Sequence, residues 1–400
     1  MIVEILSTGT ELLRGRNVDT NAAWLSAECE KAGLEVRHHQ TVDDDFGRLV
    51  DALKLAASRS DAILMTGGLG PTEDDYTRRA AEEAFHRPLR FRPEAWKAIR
   101  ERFRKFRTPM AAINRRQAFA PEGATLLRNS NGSAPGFWLR SSGVVFAAMP
   151  GPPRELYPMF RESVLPRIRR RTDIEVWQGK SFGLPEGNVD EIVLKAVGDP
   201  RAYGVTVRSG QVSIWIRAEG ARRKAFLRAA SARVIRGLGE CYYPEELADH
   251  VARRLVETGK TMAVAESCTG GLVSHKLTNV PGVSAVLLES VVTYSNESKI
   301  KRLGVPESLI RRHGAVSEEV ARAMALGVAR SSGASLGVAV TGIAGPTGGS
   351  PEKPVGLCYL AVDDRVERRV FSGERTYIKE RAASFALNMV RLRLREIGKK

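Results

Sequence analysis

An α/β architecture built on parallel sheets follows from three features of the sequence. Short, nearly continuous apolar runs such as Asp61-Ala62-Ile63-Leu64-Met65-Thr66 read as strands buried on both faces. Segments with helical spacing alternate with these runs, the order that βαβ units require. Several runs end directly in glycine-rich loops, the position at which open α/β sheets bind ligands.

Taken in order, Ile2 to Leu6 is the first strand, and Asn21 to Lys31 a helix with Gly33 as its stop. Val36 to Val42 is a weaker strand. Phe46 to Ala57 is a helix with Phe46, Leu49, Val50 and Leu53 on one stripe. The strand Asp61 to Thr66 runs into Gly67-Gly68-Leu69-Gly70-Pro71-Thr72, and the helix Tyr76 to Phe85 follows. A later strand, Val144 to Met149, ends in Pro150-Gly151-Pro152-Pro153. Together these predict a parallel sheet covered on both faces. From about Arg171 to Tyr243 the character changes to a small α+β unit. It carries Phe182 to Gly187, a helix Asn188 to Val197, an alternating strand Val212 to Arg217 and a basic helix Arg222 to Leu238. Pro244-Glu245-Glu246 is a boundary. Beyond it the spacing predicts a helix Glu245 to Thr258, a strand Thr261 to Ala265, a helix Leu272 to Leu277 and a strand Ala285 to Tyr294. A helix Ser317 to Ser331, a strand Leu336 to Val340, a strand pair (Val355 to Val362, Val366 to Phe371) and a long helix Thr376 to Ile397 complete the chain. The expected domains are therefore residues 1–170, 171–244 and 245–400.

Composition narrows the class. A chain of 400 residues predicts two to three domains, and 43% hydrophobic with 27% charged residues excludes a mostly disordered protein. No apolar run approaches the roughly 18 residues a membrane span needs. The amino-terminal stretch lacks a basic leader, so a cytoplasmic location is the default expectation. Cys29, Cys241, Cys268 and Cys358 are scattered and suggest neither a zinc site nor a disulfide framework. The net charge of +16 invites anionic partners, but it is spread along the chain. Runs such as 167–171 and Arg222-Arg223-Lys224 lack the interleaved aromatics of a base-stacking platform. Neither nucleic acid nor a membrane is the expected main partner.

Three segments could carry chemistry. In the first, glycines 67, 68 and 70 let the backbone approach a ligand, while Glu73-Asp74-Asp75 bring carboxylates beside it. Acids next to a phosphate make sense with a bridging hard cation such as Mg²⁺; without one they favour the helix dipole. Glu11, after Thr8-Gly9-Thr10, and Asn21, in Asp19-Thr20-Asn21, follow the first strand and can converge on the same sheet edge. Asn114-Arg115-Arg116-Gln117 and Asn131 to Gly136 add polar and glycine-rich elements. The second segment is Ala265-Glu266-Ser267-Cys268-Thr269-Gly270-Gly271, in which a strand end exposes a serine and small residues open a helix toward an oxyanion. A serine nucleophile needs a base, and Thr293 to Lys299 supplies Tyr294 and Lys299. Cys268, with His275 or His313, is a rival nucleophile, and a plain helix cap is the alternative for Ser267. The third is Thr341-Gly342-Ile343-Ala344-Gly345-Pro346, a loop suited to a nucleotide phosphate or simply a mobile turn. Arg375 is a candidate phosphate clamp at the start of the last helix.

At these residues the chain resembles the CinA family, the competence/damage-inducible proteins. The matching motifs run in order along the chain: Gly9-Thr10-Glu11-Leu12-Leu13, Asp19-Thr20-Asn21, Thr66 to Asp75 with Thr77, Asn114 to Ala118 and Pro150 to Pro153. Ala265 to Gly271, Thr293 to Asn296 with Lys299, His313 to Ser317 and Gly342 to Pro346 continue the series. Ser133 and Met149 depart from the usual Thr and Leu of the pattern. The resemblance implies a molybdopterin-binding-like three-layer domain with metal-dependent ADP-ribose pyrophosphatase activity and a KH-like middle domain. It implies a third, α/β domain that is a nicotinamide-nucleotide amidase, converting nicotinamide mononucleotide to nicotinate mononucleotide and ammonia. Carried over by position, Ser267 is the nucleophile, activated by Tyr294 and Lys299, with no cofactor. Glu266, Thr269, Gly270, Gly271, Thr341, Gly342, Gly345 and Arg375 surround that substrate. Glu11, Asn21, Gly67, Gly68, Gly70, Pro71, Thr72, Asn114 and Gln117 surround the diphosphate, and Asp74 and Asp75 hold a divalent metal such as Mg²⁺. The middle segment lacks a basic-flanked G-x-x-G, which argues against RNA binding there. A homodimer is expected on base rate. The alternatives are an amino-terminal half that binds a pterin or nucleotide without catalysis, and a nucleic-acid-associated competence factor.

Overall fold

The structure, a computed structural model, describes residues 1–168 and 174–398. The expected 170/171 boundary and most of the basic run 167–171 lie outside the described residues. The chain forms two compact units, residues 1–175 with 219–223, and residues 176–218 with 224–400.

The first unit is built on a six-stranded sheet. Its strands are β1 (Ile2–Thr8), β2 (Glu35–Val42), β3 (Ala62–Thr66), β6 (Thr125–Leu127), β7 (Gly136–Ser141) and β8 (Val144–Met149), in the order β2-β1-β3-β8-β7-β6. A separate antiparallel pair, β4 (Leu89–Phe91) with β5 (Phe119–Pro121), completes the strands of this region. The pairs β1–β2, β1–β3 and β3–β8 are parallel, with Val3 opposite Ala62 and Thr66 opposite Met149. β7 is antiparallel to both β8 and β6. The expected parallel sheet is therefore present, extended by an antiparallel edge. Because alternate strand residues face opposite sides, the sheet supports two cores. Leu6, Ile63, Met65 and Phe146 pack with the helix Phe46–Arg59 on one face. Ile5, Leu64, Ala147 and Met149 pack with Leu25, Leu156 and Phe160 on the other. The helix Phe46–Arg59 begins at Asp45, whose carboxylate accepts the Arg48 N–H as an N-cap.

The second unit holds two sheets. β9 (Ile174–Phe182), β10 (Tyr203–Arg208), β11 (Gln211–Glu219) and β12 (Tyr242–Tyr243) form one, in the order β10-β11-β9-β12. The helices Glu186–Val197 and Arg223–Leu238 cover it through Val189, Val193, Leu227 and Val234. The other sheet contains β13 (Met262–Glu266), β14 (Leu287–Val292), β15 (Leu336–Gly342), β16 (Leu357–Val362) and β17 (Arg365–Val370), in the order β14-β13-β15-β16-β17. β13 runs parallel to β14 and β15, so Glu266 and Val340 stand side by side at their carboxyl ends. β16 and β17 are an antiparallel hairpin on the far edge. Helices Leu247–Glu257 and Arg375–Ile397 cover one face, and Glu318–Ser332 covers the other. Among the described residues no helix is long and apolar enough to cross a membrane.

Candidate active site

The carboxyl end of β13 carries the most reactive arrangement in the second unit. Ser267 follows the last strand residue, and its N–H is held by the Val340 carbonyl at 2.9 Å. The next turn is shaped by Glu266, which is fully buried. One carboxylate oxygen accepts the N–H groups of Gly271 (3.0 Å) and Val273 (3.2 Å). The other accepts the Ser274 N–H (3.0 Å) and hydroxyl (2.6 Å). Glu266 is thus the anionic cap of the helix Leu272–Thr278, and its four accepted bonds turn it away from the ligand-contact role expected of it. Gly270 and Gly271 have φ of +63° and +96°, so the turn between strand and helix is left-handed twice. Among the described residues, the N–H groups of Cys268 and Thr269 have no acceptor, and the buried Thr269 hydroxyl has no partner.

Lys299 lies beside this turn, on the helix Asn296–Leu303, which starts at the Ser295 N-cap. The lysine is 1% exposed. Its Nζ stands 3.2 Å from Ser267 Oγ and donates to the Thr293 (2.9 Å) and Tyr294 (3.1 Å) carbonyls. No carboxylate contacts it among the described residues. Burial therefore dominates and pushes its pKa below the ordinary lysine value. A neutral amine has two N–H groups and one lone pair. Two carbonyls and one hydroxyl match the three N–H groups of the ammonium; in the neutral amine the carbonyls keep the two N–H groups and the lone pair faces Ser267 Oγ.

The remaining expected residues are placed less uniformly. Tyr294 brings its carbonyl to Lys299; its phenol is 62% exposed and accepts from Arg375 Nη2 at 3.2 Å. Tyr294 thus acts on the Ser267–Lys299 pair through its backbone carbonyl, while its phenol reaches Arg375. Arg375 also donates from Nη1 to the Gly345 carbonyl at 2.6 Å, linking the last helix to the loop after β15. The buried Thr341 hydroxyl donates to Ala315 at 2.9 Å and ties two loops. Gly342 packs so closely that an added Cβ would stand 2.6 Å from Cys358 Sγ. Cys268, the rival nucleophile, is buried in the apolar core. Its hydrogen bond to Cys358, with burial, pushes the Cys358 thiol up. The histidines expected to assist Cys268 are engaged elsewhere: the His275 ring contacts Asn279 at 3.4 Å and His313 faces Glu319 at 3.2 Å.

The first unit has a cleft at the carboxyl ends of β1, β3 and β8. A cavity of about 410 Å³ is lined by residues including Gly67, Gly68, Gly70, Thr72, Gln117 and Gly151. A second, of about 550 Å³, shares Thr8, Glu11, Gly151 and Pro152 with it and extends to Asn21. Asn21 donates to Thr66 Oγ1 (3.0 Å) and the Gly151 carbonyl (2.7 Å), fixing the cleft floor. Gly67 has φ +102°, and a Cβ there would meet the Thr8 carbonyl at 2.5 Å. Asn114 is buried against Gln117, Nδ2 to Oε1 at 3.3 Å, on the 3-10 segment Ala112–Ala118. Pro71 is half-buried in the loop, outside the residues lining the first cavity.

The acidic residues divide into two sets. Asp75 accepts from the Gly70 N–H (2.8 Å), the Thr72 N–H (2.7 Å) and the Thr72 hydroxyl. It clasps the glycine loop from within, so its expected role as a metal ligand is replaced by that of a loop anchor. Asp44 accepts from Thr8 and Thr10, and Glu155 from Asn129. Glu11 and Asp74 also line the cavity, and their carboxylates have no partner among the described residues. No group of three or more His, Cys, Asp or Glu converges there or elsewhere among the described residues. Mg²⁺, however, is commonly held by one or two carboxylates together with substrate phosphates. Two unpartnered carboxylates facing a glycine loop fit that requirement. Asp44, Glu155 and Arg78 escaped the sequence reading. Arg78 is buried beneath the loop and donates to the Leu69 carbonyl at 2.9 Å; burial pushes its pKa down to about 10, with Asp75 opposing.

Comparison with known proteins gives consistent matches. Residues 244–394 match the family described as "CinA C-terminal domain", and residues 4–170 the family described as "Probable molybdopterin binding domain". A CinA-like protein of Kosmotoga olearia is 39% identical over 405 residues, covering 98% of each chain. A competence-damage inducible protein of Caldanaerobacter subterraneus is 42% identical over 400 residues, covering 97% of each. Among solved structures, a competence/damage inducible protein of Agrobacterium tumefaciens is 41% identical, with a TM-score of 0.35, over 38% of this chain and 97% of that one.

Proposed function

Since the chain belongs to the CinA family, we propose that its second unit deamidates nicotinamide mononucleotide to nicotinate mononucleotide and ammonia. The observation that carries this reading is the buried contact of 3.2 Å between Lys299 Nζ and Ser267 Oγ. Neutral Lys299 takes the serine proton as Oγ attacks the carboxamide carbon. The N–H groups of Cys268 and Thr269, free of internal acceptors, bind the developing oxyanion. The lysine proton then goes to the leaving nitrogen, ammonia departs, and water hydrolyses the acyl-serine to regenerate the hydroxyl. Tyr294 positions the amine through its carbonyl, and Arg375 links the Tyr294 phenol to the loop after β15.

For the first unit we propose hydrolysis of ADP-ribose to AMP and ribose 5-phosphate. The glycine loop Gly67 to Thr72 offers a closely approachable backbone, and Asp75 and Arg78 keep it in shape. Glu11 and Asp74 would hold a divalent ion, which when bound offsets negative charge on the diphosphate oxygens. We further propose a cytoplasmic homodimer whose middle segment, residues 171–244, acts as a KH-like domain of its own and does not bind RNA.

Incubation with each substrate, with and without chelator, followed by chromatography, tests both halves. Ammonia and nicotinate mononucleotide should form regardless of chelator, whereas AMP should form only without it. Absence of ammonia removes the amidase reading. Binding of ADP-ribose without AMP would make the first unit a nucleotide-binding module.

A further inference from the structure

The glycine loop of the first unit borders a further cavity, of about 260 Å³, to which the reaction proposed for that unit gives no task. Gly70, Thr72 and Asp75 line both this cavity and the diphosphate cleft, whereas Gly67, Gly68, Glu11 and Asp74 line the cleft alone. The most buried side chain in the lining is Arg78, 5% exposed. A guanidinium carries five N–H groups. Among the described residues Arg78 bonds to two acceptors, the Leu69 carbonyl at 2.9 Å and the Gly70 carbonyl at 3.4 Å, both uncharged. Asp75, the acid that opposes the burial of Arg78, spends its oxygens on Gly70 and Thr72. The buried charge therefore has no carboxylate bonded to it, a costly state unless a ligand brings one.

The other walls define that ligand. Arg79 and Arg116 add two positive charges to that of Arg78, and Glu73 and Asp75 bring two negative ones. Three arginines against two acids leave one positive charge, which a monoanion cancels and a phosphate dianion exceeds. The outer arginines are already engaged. Arg116 pairs with Glu73 at 2.5 Å, and Arg79 lies over the rings of Phe46 and Tyr76, 4.9 and 5.8 Å from their centroids. Tyr76, Leu89 and Phe119 supply apolar surface beside the buried guanidinium. A volume of about 260 Å³ lies just under the range of sites that take drug-sized ligands, so it holds one flat ring with a small substituent.

We propose that this cavity is an effector site for a flat aromatic monocarboxylate, whose carboxylate pairs with Arg78 and whose ring lies among Tyr76, Leu89 and Phe119. Such a ligand competes with the Leu69 and Gly70 carbonyls for the guanidinium. It thereby loosens the glycine loop and weakens the hold of the neighbouring cleft on a diphosphate. The site itself is independent of what the first unit hydrolyses.

Calorimetric titration of the full-length protein with benzoate, benzamide and inorganic phosphate tests the site. Benzoate should bind once per chain, roughly ten- to hundred-fold more tightly than benzamide or phosphate, the margin of a charge-assisted pair. Arg78→Met should lose that margin. Should that variant fail to fold, Leu89→Trp decides, because it fills the cavity from an apolar wall without touching a charge; it should abolish benzoate binding. With ADP-ribose as second ligand, its dissociation constant should rise roughly five-fold or more and then level off as benzoate saturates. Equal binding of benzoate and benzamide, or benzoate binding unchanged in Leu89→Trp, overturns the inference. An ADP-ribose constant that benzoate leaves unchanged overturns it too, as does one that rises without limit, which places benzoate in the cleft itself. A wild-type protein that binds no ADP-ribose removes the reading of the first unit, and the benzoate titrations still decide the site.

Discussion

Ser267 and Cys268 are adjacent, yet their surroundings assign them opposite tasks. The serine hydroxyl meets a buried amine, whereas the thiol meets a second thiol within the apolar core. Ser267→Ala should lower ammonia release by roughly a thousand-fold or more, and Cys268→Ala should keep most of it, as a coupled ammonia assay reads directly. Lys299 carries a second prediction. With its folded pKa below the unfolded value, the unfolded chain binds more protons between the two. Stability therefore rises with pH through that window, which ends near an unperturbed lysine value of about 10.4. At neutral pH the buried amine costs stability, so Lys299→Met should abolish turnover while melting no lower than the wild type. In the wild type, kcat/KM should rise with pH through a pKa below the usual lysine range. A Lys299→Met protein that melts well below the wild type would contradict this account.

The loops at the strand ends determine what each sheet can do. Gly67 combines a left-handed φ with a Cβ position 2.5 Å from the Thr8 carbonyl. Gly67→Ala should therefore cost at least about 1–3 kcal/mol by denaturant titration and weaken ADP-ribose binding. Asp75 and Asp74 should separate by kind of loss. Asp75→Asn weakens the charge-assisted bonds that clasp the glycine loop and should destabilise the unit by about 1–3 kcal/mol. Asp74→Asn, exposed and unpartnered, should keep the stability and reduce turnover through the metal. Equal melting of the two variants would contradict the loop-anchor role. These loops were partly legible in the sequence. Continuous apolar runs announce β3, β8, β13 and β15, and a serine followed by small residues marks the turn after β13. The roles of Glu266 and Asp75 were not legible, because an acid near glycines reads equally as ligand contact, metal ligand or cap. Only coordinates reveal that their oxygens are taken by backbone N–H groups. β9 and β10 escaped because their pattern is only half apolar, and the strongly charged helix Pro93–Lys105 offers few apolar positions to announce it.

At the scale of the whole chain, each candidate site lies within one compact unit and draws its residues from that unit alone. The two activities should accordingly be separable: Ser267→Ala should leave AMP formation from ADP-ribose intact, and Asp74→Asn should leave ammonia release intact. The net charge of +16 is spread along the chain and favours anions in general. The central claim is that a buried amine turns Ser267 into a nucleophile that carries the acyl group. Its most direct test is the intact mass of the full-length protein, acid-quenched during turnover of nicotinamide mononucleotide, followed by peptide mapping. A nicotinate-mononucleotide acyl adduct on the peptide spanning Ser267, absent from Ser267→Ala, is the result expected. An adduct that persists in Ser267→Ala and maps to Cys268 would contradict the account.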